Sequence, residues 1–321
     1  MLQHVAAGQD GGGGLLTAAQ LDVARRRERQ ARWRSTRVAL GFIGPAALSV
    51  SVMLLLPVFF VVYLSFTRWA RFAGLDRFAG FTNYTRLFGA PYFGDAMVNT
   101  ALWVGAALVL PLGFGLGLAM LLGRLPMQDI FKSAFFLPRV VAPTAAGVIW
   151  TYVYAPDGLV NWVLGLFTGA PVKIGWLYQA NTITPAVITG FVWQSTGLSM
   201  VLILLGLAAI PRDPLEAARL EGASDRQIFV NIIWPLLLPT VMVVTIIAVV
   251  AGFTVFDLLW VMGSNYPGKR SLSLSVYMYF ESFGNNAWAF GAAIAVMLGI
   301  VVLAVTWMQA IMQHRIDRRL H

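Results

Sequence analysis

Pro235-Leu-Leu-Leu-Pro-Thr-Val-Met-Val-Val-Thr-Ile-Ile-Ala-Val-Val-Ala-Gly-Phe-Thr-Val-Phe-Asp-Leu-Leu-Trp-Val-Met262 carries one charged side chain, Asp257. A helix that crosses the hydrocarbon core, about 30 Å thick, needs about 20 mainly apolar residues. This stretch is long enough, and its single charge sets it apart from a helix of a water-soluble domain. The same reading applies on either side of it, at about Val38–Phe66, Val98–Leu122, Thr184–Ile210 and Trp288–Met312. A further span, Phe135–Tyr154, is interrupted by Pro138, Arg139 and Pro143, but Val140–Trp150 is free of charge. The expected fold is therefore an all-α integral membrane protein of about six transmembrane helices.

The whole-chain figures agree. Of 321 residues, 58% are hydrophobic and 12% charged, where soluble domains carry about 25% charged residues. With no cysteine, disulfides and thiolate metal sites are excluded. His4, His314 and His321 all lie near the termini, so neither a metal cluster nor a histidine base is expected within the spans. The net charge of +9 comes from basic residues beside apolar spans, which suits anionic membrane lipid rather than nucleic acid.

Residues 1–37 read as a basic N-terminal segment. Gly11–Gly14 is a flexible run, Thr17 and Gln20 make a capping box, and Leu21–Arg37 forms a basic helix too charged for a signal peptide. Residues 38–313 form the membrane domain and 314–321 a short tail. With both termini in the cytoplasm, Lys and Arg of the inner segments outnumber those of the outer loops by about two to one, which fixes the orientation. Arg68, Arg71, Arg77 and Arg86 run against that bias. The outer loops 67–96 and 155–183, rich in Gly, Pro and aromatics, are suited to capping a cavity or receiving a partner.

Pro211-Arg-Asp-Pro-Leu-Glu-Ala-Ala-Arg-Leu-Glu-Gly-Ala-Ser-Asp-Arg-Gln-Ile-Phe-Val-Asn-Ile-Ile-Trp-Pro235 is more than an inner connection requires. Asp213 as N-cap, Pro214 at the first helical position and Glu216 three residues on predict one capped helix. Gly222 ends it in a left-handed turn. Ser224 with Gln227 opens a second helix, and Pro235 marks the start of the fifth span. Ala217 and Ala218 keep the first helix slim, as helix-in-groove docking requires.

Glu216-Ala-Ala-Arg-Leu-Glu-Gly-Ala223, with Phe229, Ile232, Pro235 and Pro239, resembles the EAA loop of binding-protein-dependent importer permeases. Glu221 stands where that family usually has Asp, and Trp234 where it usually has Leu. Leu64-Ser-Phe-Thr67, Gly80-Phe-Thr-Asn-Tyr84, Asn99-Thr100, Phe136-Leu-Pro138, Leu207-Ala-Ala-Ile-Pro211 and Phe256-Asp257 resemble the sugar branch, which includes maltose and glycerol-3-phosphate permeases. Gly263-Ser-Asn-Tyr-Pro267 departs from the Gly-Gly-Pro usual there. The resemblance implies that Glu216, Ala217, Ala218, Gly222, Ala223 and Phe229 couple to a cytoplasmic ATPase dimer. It also implies ATP and Mg on those partners and no cofactor in this chain. A second, different permease and an extracytoplasmic solute-binding protein complete the expected assembly.

Solute-path candidates are polar and aromatic residues within spans: Trp150 and Tyr154 in the third, Trp193, Gln194, Ser195 and Ser199 in the fourth, Phe256, Asp257 and Trp260 in the fifth. Aromatic faces stack on sugar rings, and amides and carboxylates bond hydroxyls. Each has another use: Trp and Tyr anchor at interfaces, Gln and Ser tie helices together, and Asp257 pairs with a basic group. The solute class is a sugar or similar small polar molecule, with monosaccharide, disaccharide and glycerol phosphate all open.

Gly113-Phe-Gly-Leu-Gly117 is a small-residue packing motif rather than a dinucleotide fingerprint. Gly263–Arg270 approaches a phosphate-binding loop but has Arg270 where Ser or Thr is needed, so ATP hydrolysis is expected elsewhere. Asn83-Tyr-Thr85 is a glycosylation sequon by pattern. A self-contained secondary transporter is the alternative, but it would show inverted repeats and more intramembrane carboxylates than Asp257.

Overall fold

The computed structural model describes residues 41–70, 74–75, 77–123 and 128–320. The basic N-terminal segment, residues 1–37, lies outside them. The helices are α1 (Gly41–Ser65), α2 (Thr82–Phe88), α3 (Phe93–Leu122), α4 (Gln128–Val140), α5 (Pro143–Val153), α6 (Leu159–Thr168) and α7 (Ala180–Ala208). There follow α8 (Asp213–Leu220), α9 (Asp225–Ile228), α10 (Trp234–Thr254), α11 (Asp257–Met262), α12 (Leu274–Tyr279) and α13 (Trp288–Leu320). An isolated β-bridge pairs Thr67 with Phe78.

Among the described residues five helical stretches are long and apolar enough to cross a membrane: Gly41–Ser65, Phe93–Leu122, Ala180–Ala208, Asp225–Met262 and Trp288–Gln313. The third expected span differs in form. It is the pair α4 and α5, bent by 98°. Pro143 forces the preceding residue out of the helical region, and Ala142 is extended at ψ 137°. Counted as one span, the pair makes six. The last helix runs unbroken to Leu320, so residues 314–320, read as a tail, continue its backbone.

The fifth span has a break that the sequence did not announce. Helix α10 ends at Thr254, and α11 begins at Asp257 after an extended Val255. Freed backbone groups within a membrane must find partners inside the protein. Each break has a polar side chain that supplies one. Gln194 Nε2 donates to the Val141 carbonyl at 2.7 Å, and Ser275 Oγ donates to the Phe253 carbonyl at 2.9 Å.

Two units divide between Phe60 and Val61. The first contains the start of α1, with a π-turn at Ser51–Leu55 just ahead of Pro57. In the second, glycines set the helix spacing. A Cβ on Gly115 would lie 2.8 Å from Ser199 Cβ, one on Gly252 2.9 Å from Val104 Cα, and one on Gly147 2.8 Å from Val261 Cβ. Small residues allow such backbone approach where lipid gives helices no hydrophobic reason to associate. Gly113 and Gly117 have open space around them, so within that motif the packing residue is Gly115.

The segment between α1 and α3 is tied down by Asn83. Its Nδ2 donates to the carbonyls of Ser65 and Thr67, both at 2.8 Å. Asn83 is buried and committed to those bonds, so the sequon is not an available glycan acceptor.

Candidate coupling loop and translocation path

Residues 209–233 join α7 to α10 through two short helices, α8 and α9. Helix α8 starts differently from the expected capping box. Arg212 is the N-cap, in helical conformation, and no side chain caps it. Its carbonyl takes the amides of both Leu215 and Glu216 at 3.0 Å. Backbone thus fills the role foreseen for Asp213, and both acids sit in the first turn, where they complement the helix dipole. Pro214 lies at the helix start as expected.

At the other end Gly222 is left-handed, φ +81°. The Ala223 amide reaches back to the Ala218 carbonyl at 3.0 Å, and the Gly222 amide to Arg219 at 3.1 Å. This is the left-handed closure that glycine permits without strain. Ser224 and Gln227 then form the expected reciprocal box: Ser224 N donates to Gln227 Oε1 at 2.8 Å and Gln227 N to Ser224 Oγ at 3.4 Å. Glu216, Ala217 and Gly222 are exposed, Ala218 and Ala223 half-buried. Leu220 is 90% exposed.

No separate connection follows the second helix. Asp225–Met262 passes as one stretch, with a π-turn at Phe229–Ile233. Pro235 lacks an amide and its ring would strike the carbonyl four residues back; the wider turn absorbs that conflict. Pro235 therefore lies inside a continuous helix rather than at its start. Phe229 packs beside Trp234, ring centroids 6.2 Å apart.

The path candidates fall into three groups. Trp150 stacks on Tyr154 at 5.4 Å and meets Trp193 edge-on at 5.9 Å. Trp176 adds a fourth ring, 6.0 Å from Tyr154. The buried Trp150 Nε1 has no acceptor among the described residues. Phe256 and Trp260 stack at 5.6 Å. Tyr279 touches both, at 5.2 and 4.8 Å, and Lys269 Nζ lies 5.2 Å from the Trp260 ring centre. One apolar core underlies both groups, with Trp150, Tyr154, Phe256 and Trp260 packed in it or against it.

Ser195 and Ser199 form the third group. They line a cavity of about 40 Å³ with Arg139, Phe191, Pro111 and Ala251. Arg139 was not singled out as a site residue, although a charge inside a span is itself a signal. Lys269 and Tyr279 lie in the stretch after the fifth span and carry no pattern that would select them. Gln194 Nε2 bonds the α4–α5 break. Asp257 is exposed and makes no ion pair among the described residues. No group of three or more His, Cys, Asp or Glu able to hold a metal occurs among the described residues.

Residues 30–318 match the family described as binding-protein-dependent transport system inner membrane component. The chain is 31% identical to the probable ABC transporter permease protein YurN of Bacillus subtilis, over 84% of this chain and 93% of that protein. It is 29% identical to the trehalose/maltose transport system permease protein MalF of Thermococcus litoralis, over 86% of this chain and 93% of that one. A crystal structure of a bacterial alginate ABC transporter, in complex with an alginate pentasaccharide-bound periplasmic protein, has a chain of the same fold. Its TM-score is 0.76 at 19% identity, covering 90% of this chain and 97% of that one.

Proposed function

The chain belongs to the family of binding-protein-dependent transport system inner membrane components and is the permease subunit of an ABC importer; from that premise we propose that it passes a sugar or oligosaccharide, driven through the loop at Asp213–Ile228. The maltose and alginate transport of its relatives supports that solute class. So do the clustered Trp150, Tyr154 and Trp193, because aromatic faces stack on sugar rings. Transport by alternating access opens a path between this permease and a second one, to either side of the membrane in turn. A solute-binding protein delivers to the side of residues 66–92, 154–179 and 263–287. Both termini and α8 lie in the cytoplasm.

The observation that carries the coupling role is the exposed α8. Leu220 is almost wholly bare on a helix held rigid by its own closure at Gly222. An apolar residue presented in that way suits a groove on another protein. The groove belongs to an ATPase dimer that binds ATP and Mg, and its closure moves α8. The test is isolation of the tagged chain from its native membrane in mild detergent, with the bound proteins identified by mass spectrometry. A P-loop ATPase and a second polytopic protein are expected. The ATPase should be lost when Glu216→Lys and Gly222→Phe are combined. Recovery of this chain alone, active in transport without ATP, would overturn the assignment.

A further inference from the structure

The arginines that defy the charge bias have a structural setting. Arg68 and Arg86 flank a cleft of about 380 Å³ whose floor includes Trp69, Thr82, Ala289 and Phe290. Neither arginine is ion-paired among the described residues. Glu281, a buried acid in the same region, is already held by Asn285 Nδ2 at 2.9 Å and by Arg270 at 3.9 Å. The Arg86 guanidinium lies over the Phe290 ring, 4.6 Å from its centre, a contact that holds it at the cleft. Helix α13 begins at this cleft, with no acid in its first turn. Its positive end adds to the field of the two guanidinium groups.

The depth of the cleft indicates what fills it. It lies where α1 ends, at Ser65, and where α13 begins, at Trp288. Trp69 and Trp288 pair there, ring centroids 4.8 Å apart, and the Ala289 amide donates to the Trp69 carbonyl at 3.0 Å. Paired tryptophans at the ends of two spans mark the membrane–water boundary. The path candidates lie on other elements, α5, α7 and α11. A concave site at headgroup depth, with two forked cations and an apolar floor, matches a phosphodiester with its glycerol attached. Guanidinium is well suited to bidentate bonding of phosphate oxygens.

We propose that Arg68 and Arg86 hold the phosphodiester of an anionic phospholipid headgroup at the end of the membrane domain opposite the coupling loop. This does not depend on which solute is carried. The bound lipid would brace the junction of α1, α2 and α13, and it gives the unbalanced positive charge of this segment a partner.

The full-length chain is purified in mild detergent and titrated with dioleoylphosphatidylglycerol. Bound lipid is counted by native mass spectrometry, and thermal unfolding is followed in parallel. The wild type should retain the lipid and unfold at a higher temperature as it is added. Arg68→Gln with Arg86→Gln should bind about a hundredfold more weakly, about tenfold for each charge-assisted contact removed, and should show no thermal gain. Arg77→Gln, in the same segment but outside the cleft, should behave as wild type. If the double variant does not fold, Arg68→Lys and Arg86→Lys, which keep charge but lose the fork, should each weaken binding part of the way. Equal lipid binding by wild type and variants would overturn the proposal. So would stabilisation by inorganic phosphate alone as large as that by the lipid. Unchanged lipid binding together with loss of binding-protein capture would assign the cleft to the protein partner instead.

Discussion

Replacing Gly222 by residues of different size separates a docking turn from a mere connection. The backbone at Gly222 has φ +81°, so any side chain there costs about 1–2 kcal/mol of left-handed strain, less for asparagine, which tolerates that region. No atom lies within 4 Å of where a Cβ would stand. Within this chain, therefore, a Cβ meets nothing, and the protein should insert and fold with either substitution. A groove that accepts glycine is another matter. Forcing a phenylalanine into a fitted contact costs about 1–3 kcal/mol, which is about 5- to 150-fold in affinity. Gly222→Asn should retain the ATPase subunit more tightly than Gly222→Phe, which should weaken its binding about 5- to 150-fold. The assay is titration of the purified permease pair with the ATPase subunit, alongside uptake in reconstituted vesicles. Equal ATPase binding by the two variants, both correctly inserted, would refute docking at this turn.

The break in the third span gives a second expectation: Gln194→Leu removes the donor to the Val141 carbonyl and should destabilise the protein by about 1–3 kcal/mol, seen as a lower unfolding temperature in detergent. Solute affinity should not change if Gln194 acts on the break alone. Gly147→Ala would place a methyl 2.8 Å from Val261 Cβ, so a loss of about 1–3 kcal/mol is expected. Adding Val261→Gly should recover part of it, whereas no recovery would show that the α5–α11 contact is not the cause. Arg270→Met leaves Glu281 buried with one partner fewer and should lower the unfolding temperature. Arg270→Met with Glu281→Gln should unfold closer to wild type, because the uncompensated charge is gone.

What could be read from the sequence followed from local chemistry. The spans needed only enough apolar length, and the turn at Gly222 and the box at Ser224–Gln227 needed only neighbours three to six residues apart. The failures share a cause. Asp213 reads as a cap because its side chain can do that work; the Arg212 carbonyl takes the Glu216 amide instead. The break at Val255–Phe256 has neither proline nor glycine to announce it. Its free carbonyl, on Phe253, is satisfied by Ser275, 22 residues away. Gln194 stands 53 residues from the carbonyl it serves. Nothing in a local pattern distinguishes a glutamine that bonds a helix break from one that faces a solute.

The two ends of the fifth helical stretch suggest how the proposed coupling would travel. From Asp225 to Thr254 the chain is helical throughout, about 45 Å at 1.5 Å per residue. The conflict at Pro235 is taken up by a π-turn instead of a kink. This rod is bounded at one end by the extended Ser224, just after the left-handed turn at Gly222, and at the other by the extended step at Val255. The first adjoins the exposed α8. The second adjoins Phe256 and Trp260, and it leads into α11, which packs on α5 through Gly147. A push delivered to α8 would therefore be carried as a displacement of the whole rod, and it would be relieved where the fifth and third spans are already broken. The polar side chains at those points, Ser275 and Gln194, keep the breaks satisfied without closing them.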